Sequence, residues 1–458
     1  MCSNSNLRSF RVAMVPSRLG LALRTAIVVV SAASSLGGCV SSPVGEQWDE
    51  EIDTVEEALC PAPGASIGLA TPTVPFQNSY PNDVQAANAV PGDFNGDGLL
   101  DAVFIADGSR QRLVYMAGNG VGLSGAQIST LTVPSSTYNP QGGAALDYDG
   151  DGDLDIAYVT QGGTSLIIAY NNGAGSFTST TAVLIPSTYA MKRVATGDFN
   201  GDGRPDIAMT ANVSRTVRIV LNLPTGPSLL PAISTGNGSP WDISAVDMNL
   251  DGFLDLIVGQ QFGTQPLLLL QGQGDGTFVQ VAGPLPKNQG INGAYTVGLT
   301  VADLDADGRS DVAYVDANTR SVHVLRNNSS TGVSLANEVD SSTGPYPLAS
   351  GSLSDIFMAA GDFDVDGRQD LAVIGKIFTV GSQAQIVRGT GVAGDLLSFS
   401  ATTPWLVNSN GKTSTTPRGL IVAPFNVQSC GTRPDIVFSS SNDNPGDWSV
   451  QYVGNVTE

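Results

Sequence analysis

The 458-residue chain is 41% hydrophobic and only 14% charged, with a formal net charge of −21. That is too apolar for a disordered chain and too long for one ordinary domain unless it is assembled from repeats. The acidity excludes nucleic-acid binding, which needs a basic footprint. Abundant glycine and the lack of long helix-period segments point to an all-β chain with many tight turns.

Residues 1–38 hold Arg8, Arg11, Arg18 and Arg24 without an acidic side chain, then the apolar run 26–33 and a string of small residues. This is the layout of an export signal, and the run is shorter than a membrane span needs. Leu36-Gly37-Gly38-Cys39 resembles a lipobox, which implies cleavage before Cys39 and lipidation of its thiol. A plain secretory signal with a chance cysteine is the other reading. Val40, where an Asp is absent, resembles outer-membrane rather than inner-membrane lipoproteins. Residues 39–64 read as an acidic tether, because Glu46, Asp49, Glu50, Glu51, Asp53, Glu56 and Glu57 repel one another and favour extension. A short acidic amphipathic helix is the alternative there. With Cys2 removed and Cys39 lipidated, Cys60 and Cys430 remain. An exported compartment permits disulfides, and a Cys60–Cys430 bond is expected, two free thiols being the alternative.

From residue 93 an acidic nonapeptide, Asp-x-Asp/Asn-x-Asp-Gly-x-x-Asp, returns six times. Its oxygen-bearing side chains are Asp93, Asn95, Asp97 and Asp101 in the first copy and Asp147, Asp149, Asp151 and Asp155 in the second. The third has Asp198, Asn200, Asp202 and Asp206, and the fourth Asp247, Asn249, Asp251 and Asp255. The fifth has Asp303, Asp305, Asp307 and Asp311, and the sixth Asp362, Asp364, Asp366 and Asp370. Calcium takes six to eight oxygens at roughly 2.3–2.6 Å, and alternate side chains of a tight loop converge on one ion. Position 7 is expected to add its backbone carbonyl, leaving its side chain free to be Leu99, Asp153, Arg204, Phe253, Arg309 or Arg368. Glycine at position 6 lets the chain reverse. About six Ca2+ ions are therefore expected, and half of the 42 acidic residues stand at ligand positions. One such loop would pass for an ordinary Asp/Asn/Gly turn, but six in register would not. The fourth, with Leu250 at position 4, departs most from the pattern.

An EF-hand would need a bidentate Glu at position 12 and helices on both sides. Position 12 holds Phe104, Tyr158, Met209, Val258, Tyr314 and Val373, and the flanks are short apolar runs that read as strands. Loop starts lie 54, 51, 49, 56 and 59 residues apart, the size of a four-stranded propeller blade. In the third unit the strands are expected at 191–199, 206–211, 216–222 and 228–234. Asn171-Asn172-Gly173 and the glycine-rich 272–276 mark turns in other units.

The string Gly-Asp-Phe-Asn-Gly-Asp-Gly-x-x-Asp, at 92–101 and 197–206, resembles the FG-GAP and VCBS repeats, whose best-known relatives form the seven-bladed β-propeller of integrin α subunits. The resemblance implies a calcium-binding propeller over residues 65–458. Six loops argue for six blades, but Phe425-Asn426 and Arg433-Pro434-Asp435-Ile436-Val437 echo Phe199-Asn200 and Arg204-Pro205-Asp206-Ile207, with Pro424 in place of the first ligand. We therefore expect seven blades, the last without such a calcium site, and keep a six-bladed ring as the alternative. Residues 448–453 would form the last blade's third strand and residues 66–76 its fourth. That would close the ring, remove an exposed edge and place Cys60 and Cys430 at the same seam.

In the resembling family the calcium loops occupy one face and ligands the other. Transferred here, this directs attention to the loops before each first strand, with Tyr138, Tyr189, Trp241, Tyr295 and Tyr346. These aromatics either anchor a ligand or cap the blades. The single histidine, His323, lies in the alternating run 321–325 and reads as a strand residue rather than a base. No nucleophile elbow, P-loop or dinucleotide fingerprint is present. The expected role is a monomeric, lipid-anchored, extracytoplasmic binding or adhesion module for a protein or glycan, not an enzyme, at the outer membrane or cell surface or else secreted. The alternative is a polysaccharide-active hydrolase or lyase on the same scaffold, using carboxylates outside the loops.

Overall fold

The computed structural model describes residues 73–77, 83–108, 111–131, 140–160, 165–185, 190–281, 296–318, 321–327, 335–338, 346–347, 353–377, 381–389, 399–401, 405–406, 415–425, 433–442 and 448–453. All lie in one compact unit, Ala58–Glu458. The expected export signal, the tether, Cys39, Cys60 and Cys430 lie outside the described residues.

The apolar runs beside each acidic loop form strands, and every described element is a strand. After β1 (Thr73–Gln77) come β2 (Asp83–Gly92), β3 (Asp101–Gly108), β4 (Gln111–Gly118) and β5 (Leu123–Leu131) of the first blade. The second blade has β6 (Pro140–Leu146), β7 (Asp155–Thr160), β8 (Ser165–Asn171) and β9 (Phe177–Leu184). The third has β10 (Met191–Gly197), β11 (Asp206–Ala211), β12 (Thr216–Leu223), β13 (Gly226–Leu229) and β14 (Ile233–Ser234). The fourth has β15 (Ser239–Val246), β16 (Asp255–Gln261), β17 (Leu267–Gly272) and β18 (Phe278–Gln280). The fifth has β19 (Thr296–Ala302), β20 (Asp311–Asp316), β21 (Ser321–Asn327), β22 (Leu335–Glu338) and β23 (Tyr346–Pro347). The sixth has β24 (Leu353–Gly361), β25 (Asp370–Ile377), β26 (Gly381–Gly389), β27 (Phe399–Ala401) and β28 (Trp405–Leu406). The seventh has β29 (Thr415–Ala423), β30 (Asp435–Asn442) and β31 (Trp448–Val453).

Each blade is an antiparallel sheet in chain order, and the seventh is completed by β1 beside β31. Thr73 faces Tyr452, Phe76 faces Val450 and Gln77 faces Ser449. The seven-bladed expectation is thus met, with the chain's early strand supplying the outer edge of its last blade. First strands β2, β6, β10, β15, β19, β24 and β29 neighbour one another in sequence and β29 returns to β2, so the ring is closed. In the third unit the expected strands are present, but the fourth is split into β13 and β14, which both pair β12. Pro231 lies between them and has no N–H for the ladder.

The core follows from this arrangement. A blade is apolar on both faces, so its middle strands are buried throughout, as in β7, β11 and β20. Among the described residues seven apolar clusters result, one at each blade-to-blade interface. Val322 and Val324 of the fifth blade pack with Ile356 and Val373 of the sixth, for example. Val437 and Val450 of the seventh blade pack with Phe104 and Met116 of the first. Burying such a side chain contributes roughly 1.5–3 kcal/mol, so each blade is stabilised chiefly by its neighbours. His323 lies in β21, buried, its ring stacked on Tyr314 at 4.9 Å.

The innermost strands carry a feature that the sequence pattern did not reveal. All seven shift register near their start, for example between Met191 and Val194 in β10 and between Pro240 and Asp242 in β15. Such bulges add local twist and re-aim side chains. Here they bring Arg193 of the third blade to 3.8 Å from Asp242 of the fourth and over the ring of Phe357 of the sixth.

Candidate metal loops

Each acidic nonapeptide joins the first strand of its blade to the second. In the first loop Asp93 Oδ1 accepts the backbone N–H of Gly96 (2.8 Å) and Asp97 (3.2 Å), and its Oδ2 that of Gly98 (2.8 Å). Asn95 Oδ1 accepts from Asp97 N–H (2.9 Å) and Asp97 Oδ1 from Leu99 N–H (2.8 Å). The loops starting at Asp147 and Asp198 repeat this pattern in full. The loops starting at Asp247, Asp303 and Asp362 keep the bonds to positions 5, 6 and 7. Leu250 therefore leaves the bonds to positions 5, 6 and 7 of the fourth loop in place.

The backbone explains the glycines. Position 6 is left-handed in all six loops, with φ from 83° to 95°. Position 4 is left-handed too, as Gly96, Gly150 and Gly201, but also as Leu250, Ala306 and Val365 near 58°. The repeat pattern signals a conformational need at position 6 alone. A residue with a Cβ in this region costs roughly 1–2 kcal/mol, so the last three loops hold position 4 under strain.

The pinned side chains converge. One carboxylate oxygen each from Asp147, Asp149 and Asp155 lies within 4.8 Å of the others, and the same holds for Asp303, Asp305 and Asp311 and for Asp362, Asp364 and Asp370. In the loops with Asn at position 3, the amide Nδ2 donates to the position-5 carboxylate at 2.7–3.1 Å, turning these side chains toward each other. The donors are all oxygens in a flexible nonapeptide, which fits a hard divalent cation such as calcium.

Position 9 does more than complete this set. Asp101, buried, accepts Phe94 N–H on one oxygen (2.9 Å) and Gly118 N–H on the other (2.7 Å), tying the loop to the end of the third strand. Asp155, Asp206, Asp255, Asp311 and Asp370 make the same two ties. In the seventh blade Asp435 still accepts Phe425 N–H (3.1 Å). Burial drives the position-9 carboxyls of the six acidic loops above the ordinary range, and the backbone bonds pull back only in part. Asp155 and Asp255 reach about 6, Asp311 about 7 and Asp370 about 8. A cation at the loop would favour the ionised form.

Position 2 plugs the blade base: Phe94, Tyr148, Phe199, Met248, Leu304, Phe363 and Phe425 are all buried. Its carbonyl receives the next blade. Asn171 Nδ2 donates to Phe94 O, Asn222 Nδ2 to Tyr148 O and Asn327 Nδ2 to Met248 O, each at 2.7 Å. Nothing in the repeat pattern singles out these asparagines. Asn171 stood in a turn marker, and nothing local said that it crosses to another blade. Position 7 also holds more than a carbonyl: Arg204 Nε donates to Asn222 O (3.1 Å) and Arg309 Nε to Asn327 O (2.8 Å).

The antiparallel order puts the acidic loops at one end of the blades and the second-to-third strand turns at the other. At that other end Val213 and Phe262 are 67% exposed. Trp241 belongs to β15 rather than to the preceding loop, half-buried beneath the Lys192 ammonium at 4.7 Å. Tyr138, Tyr189 and Tyr295 lie outside the described residues, and of Tyr346 only the backbone is described, in β23.

Five overlapping segments, 93–158, 147–209, 198–258, 247–314 and 303–373, match the FG-GAP-like repeat. Such repeats commonly bind calcium. No curated protein matches significantly in sequence. Among solved structures, the chain is similar to BBS1N crystallised with ARL6DN, at TM-score 0.50 and 12% identity over 85% of this chain and 98% of that one. It is also similar to an Agrocybe aegerita lectin that recognises non-reducing terminal N-acetylglucosamine, at TM-score 0.44 and 18% identity over 69% and 80%. AofleA from Arthrobotrys oligospora aligns at TM-score 0.42 and 14% identity over 76% and 93%.

Proposed function

Since the chain belongs to the FG-GAP-like repeat family, we propose that it is a calcium-stabilised β-propeller working as a binding or adhesion module, exported and held at the outer membrane or cell surface by a lipid on Cys39. The observation that carries the metal part is the convergence of pinned carboxylates in the loops starting at Asp147, Asp303 and Asp362. Each of the six loops takes one Ca2+ ion through positions 1, 3, 5 and 9 and the position-7 carbonyl. Clustered carboxylates repel one another, and an ion turns that repulsion into a fastening of the first two strands of each blade.

Binding belongs to the opposite face, where exposed Val213 and Phe262 stand on held turns. Ser239 Oγ donates to Asn212 O (2.6 Å) and Thr235 N–H to Arg215 O (2.9 Å), so this rim is stiff. Rigid apolar anchors of this kind suit a protein or glycan ligand. BBS1N, of the same fold, is crystallised with a protein, ARL6DN, which supports the choice of a protein ligand as the first class to screen.

Two measurements test this. Chelation with EGTA should lower the melting temperature, and an unchanged value would remove calcium as the structural ion. A glycan and protein array, read with and without chelator, should give retention without turnover. Release of a cleaved product would replace the module by an enzyme.

A further inference from the structure

The six loops are not electrically alike. In the fifth blade Arg326, one residue before the end of β21, places its Nε 2.5 Å from Asp305 Oδ2 and its Nη2 3.4 Å from Asp307 Oδ2. Arg309 also pairs with Asp307. In the sixth blade Arg388, at the matching place in β26, pairs with Asp364 Oδ2. Under these arginines the position-3 carboxylates are buried, Asp305 being 3% and Asp364 0% exposed. At the matching strand position the first four blades have Ala117, Tyr170, Leu221 and Gln271. Their position-3 side chains, Asn95, Asp149, Asn200 and Asn249, are half-buried or exposed. The second loop even adds a fifth carboxylate, Asp153.

A guanidinium in contact with a ligand carboxylate offsets a unit of the charge that attracts the ion. Over about 5 Å, even with the screening of bulk water, that offset is worth on the order of tenfold in affinity. It also does, without an ion, what the ion would do: it holds neighbouring carboxylates together.

Resting on the calcium reading above, we propose that the ring loads calcium in two classes. The loops starting at Asp303 and Asp362 are counter-charged from within by Arg326 and Arg388, take the ion more weakly and keep their shape without it. The loops of the first four blades depend on the ion. Partial calcium loss would then empty the fifth and sixth blades first without opening the ring.

The test is a calcium titration of the full mature chain, followed by native mass spectrometry and calorimetry. Wild type should bind four ions first and two more at about tenfold higher free calcium. Arg326→Met with Arg388→Met should move the last two ions into the tighter class and lower the melting temperature of the metal-free protein. Gln271→Arg, a change at a half-buried polar residue, should weaken one of the four tight sites about tenfold. It keeps the question decidable if the methionine variant does not fold. Six ions in a single class, no effect of Gln271→Arg, or weaker binding in the methionine variant would overturn the two-class proposal alone. Binding of no ion at all would overturn the calcium reading and this proposal with it.

Discussion

Asp435 separates the two roles of position 9. It occupies that position in a repeat whose first ligand is replaced by Pro424, where no such calcium site is expected, so a strut role can be read there apart from a ligand role. It is buried, accepts Phe425 N–H at 3.1 Å and bonds the Tyr452 phenol. Asp435→Ala removes two bonds to a carboxylate, each worth roughly 1.5 kcal/mol when buried, and leaves the donors only weaker second acceptors, Ala423 O for Phe425 N–H (3.1 Å) and Val121 O for the Tyr452 hydroxyl (3.4 Å). The expected loss is about 3 kcal/mol. With an unfolding entropy of roughly 2.1 cal/mol/K per residue over about 400 residues, that is a fall in Tm of roughly 3–4 °C. The assay is calorimetry in saturating calcium and again in EGTA. The fall should be the same in both, whereas Asp206→Ala, which removes strut and ligand together, should cost more in calcium than in EGTA. A calcium-dependent loss for Asp435→Ala, or none in either buffer, would refute the strut.

Three further outcomes are expected. In the metal-free protein Asp155, Asp255, Asp311 and Asp370 hold protons that the unfolded chain has released, since their folded values of about 6, 6, 7 and 8 exceed the ordinary carboxylate value. Their contribution is complete below about pH 4 and is lost as pH climbs through 6 to 8. Metal-free protein should therefore melt higher at pH 5.5 than at pH 8, and saturating calcium should abolish or invert that slope; an unchanged slope with calcium would show that the ion does not reach these carboxyls. Asn222→Ala removes the bond to Tyr148 O and leaves a buried carbonyl unpaired, so denaturant unfolding should show a loss of about 2 kcal/mol, and a loss below about 0.5 kcal/mol would deny the inter-blade tie. Gly203→Ala, at φ 83° with open space around the added methyl, should cost about 1 kcal/mol through the backbone alone, and the same assay showing no loss would mean the loop relaxes.

Much of this molecule is legible in one dimension because its signal repeats. Asp206–Ala211 and Trp448–Val453 fall where the alternation of acidic loop and apolar run puts them. The worn copy around Asp435 betrays the seventh blade through Phe425 and Arg433-Pro434. The left-handed position 4 was only half visible, because glycine marks it in three loops and Leu250, Ala306 and Val365 mask it in the others. The asparagine ties span 74 to 79 residues, and no local pattern reports contacts of that length.

The loops, the strands and the oxygen-rich character of the loops can be read along the chain, because they depend on neighbours within one repeat, and the blade count follows from how often that repeat returns. How the repeats contact one another emerges only when the blades are packed in the ring. That packing sets the bulges that bring Arg193 to Asp242, the asparagines that cross interfaces, and the arginines that reach Asp305 and Asp364. Those features arise from packing separate strands side by side, and side-chain reach across a sheet is not written in the spacing of residues along a chain.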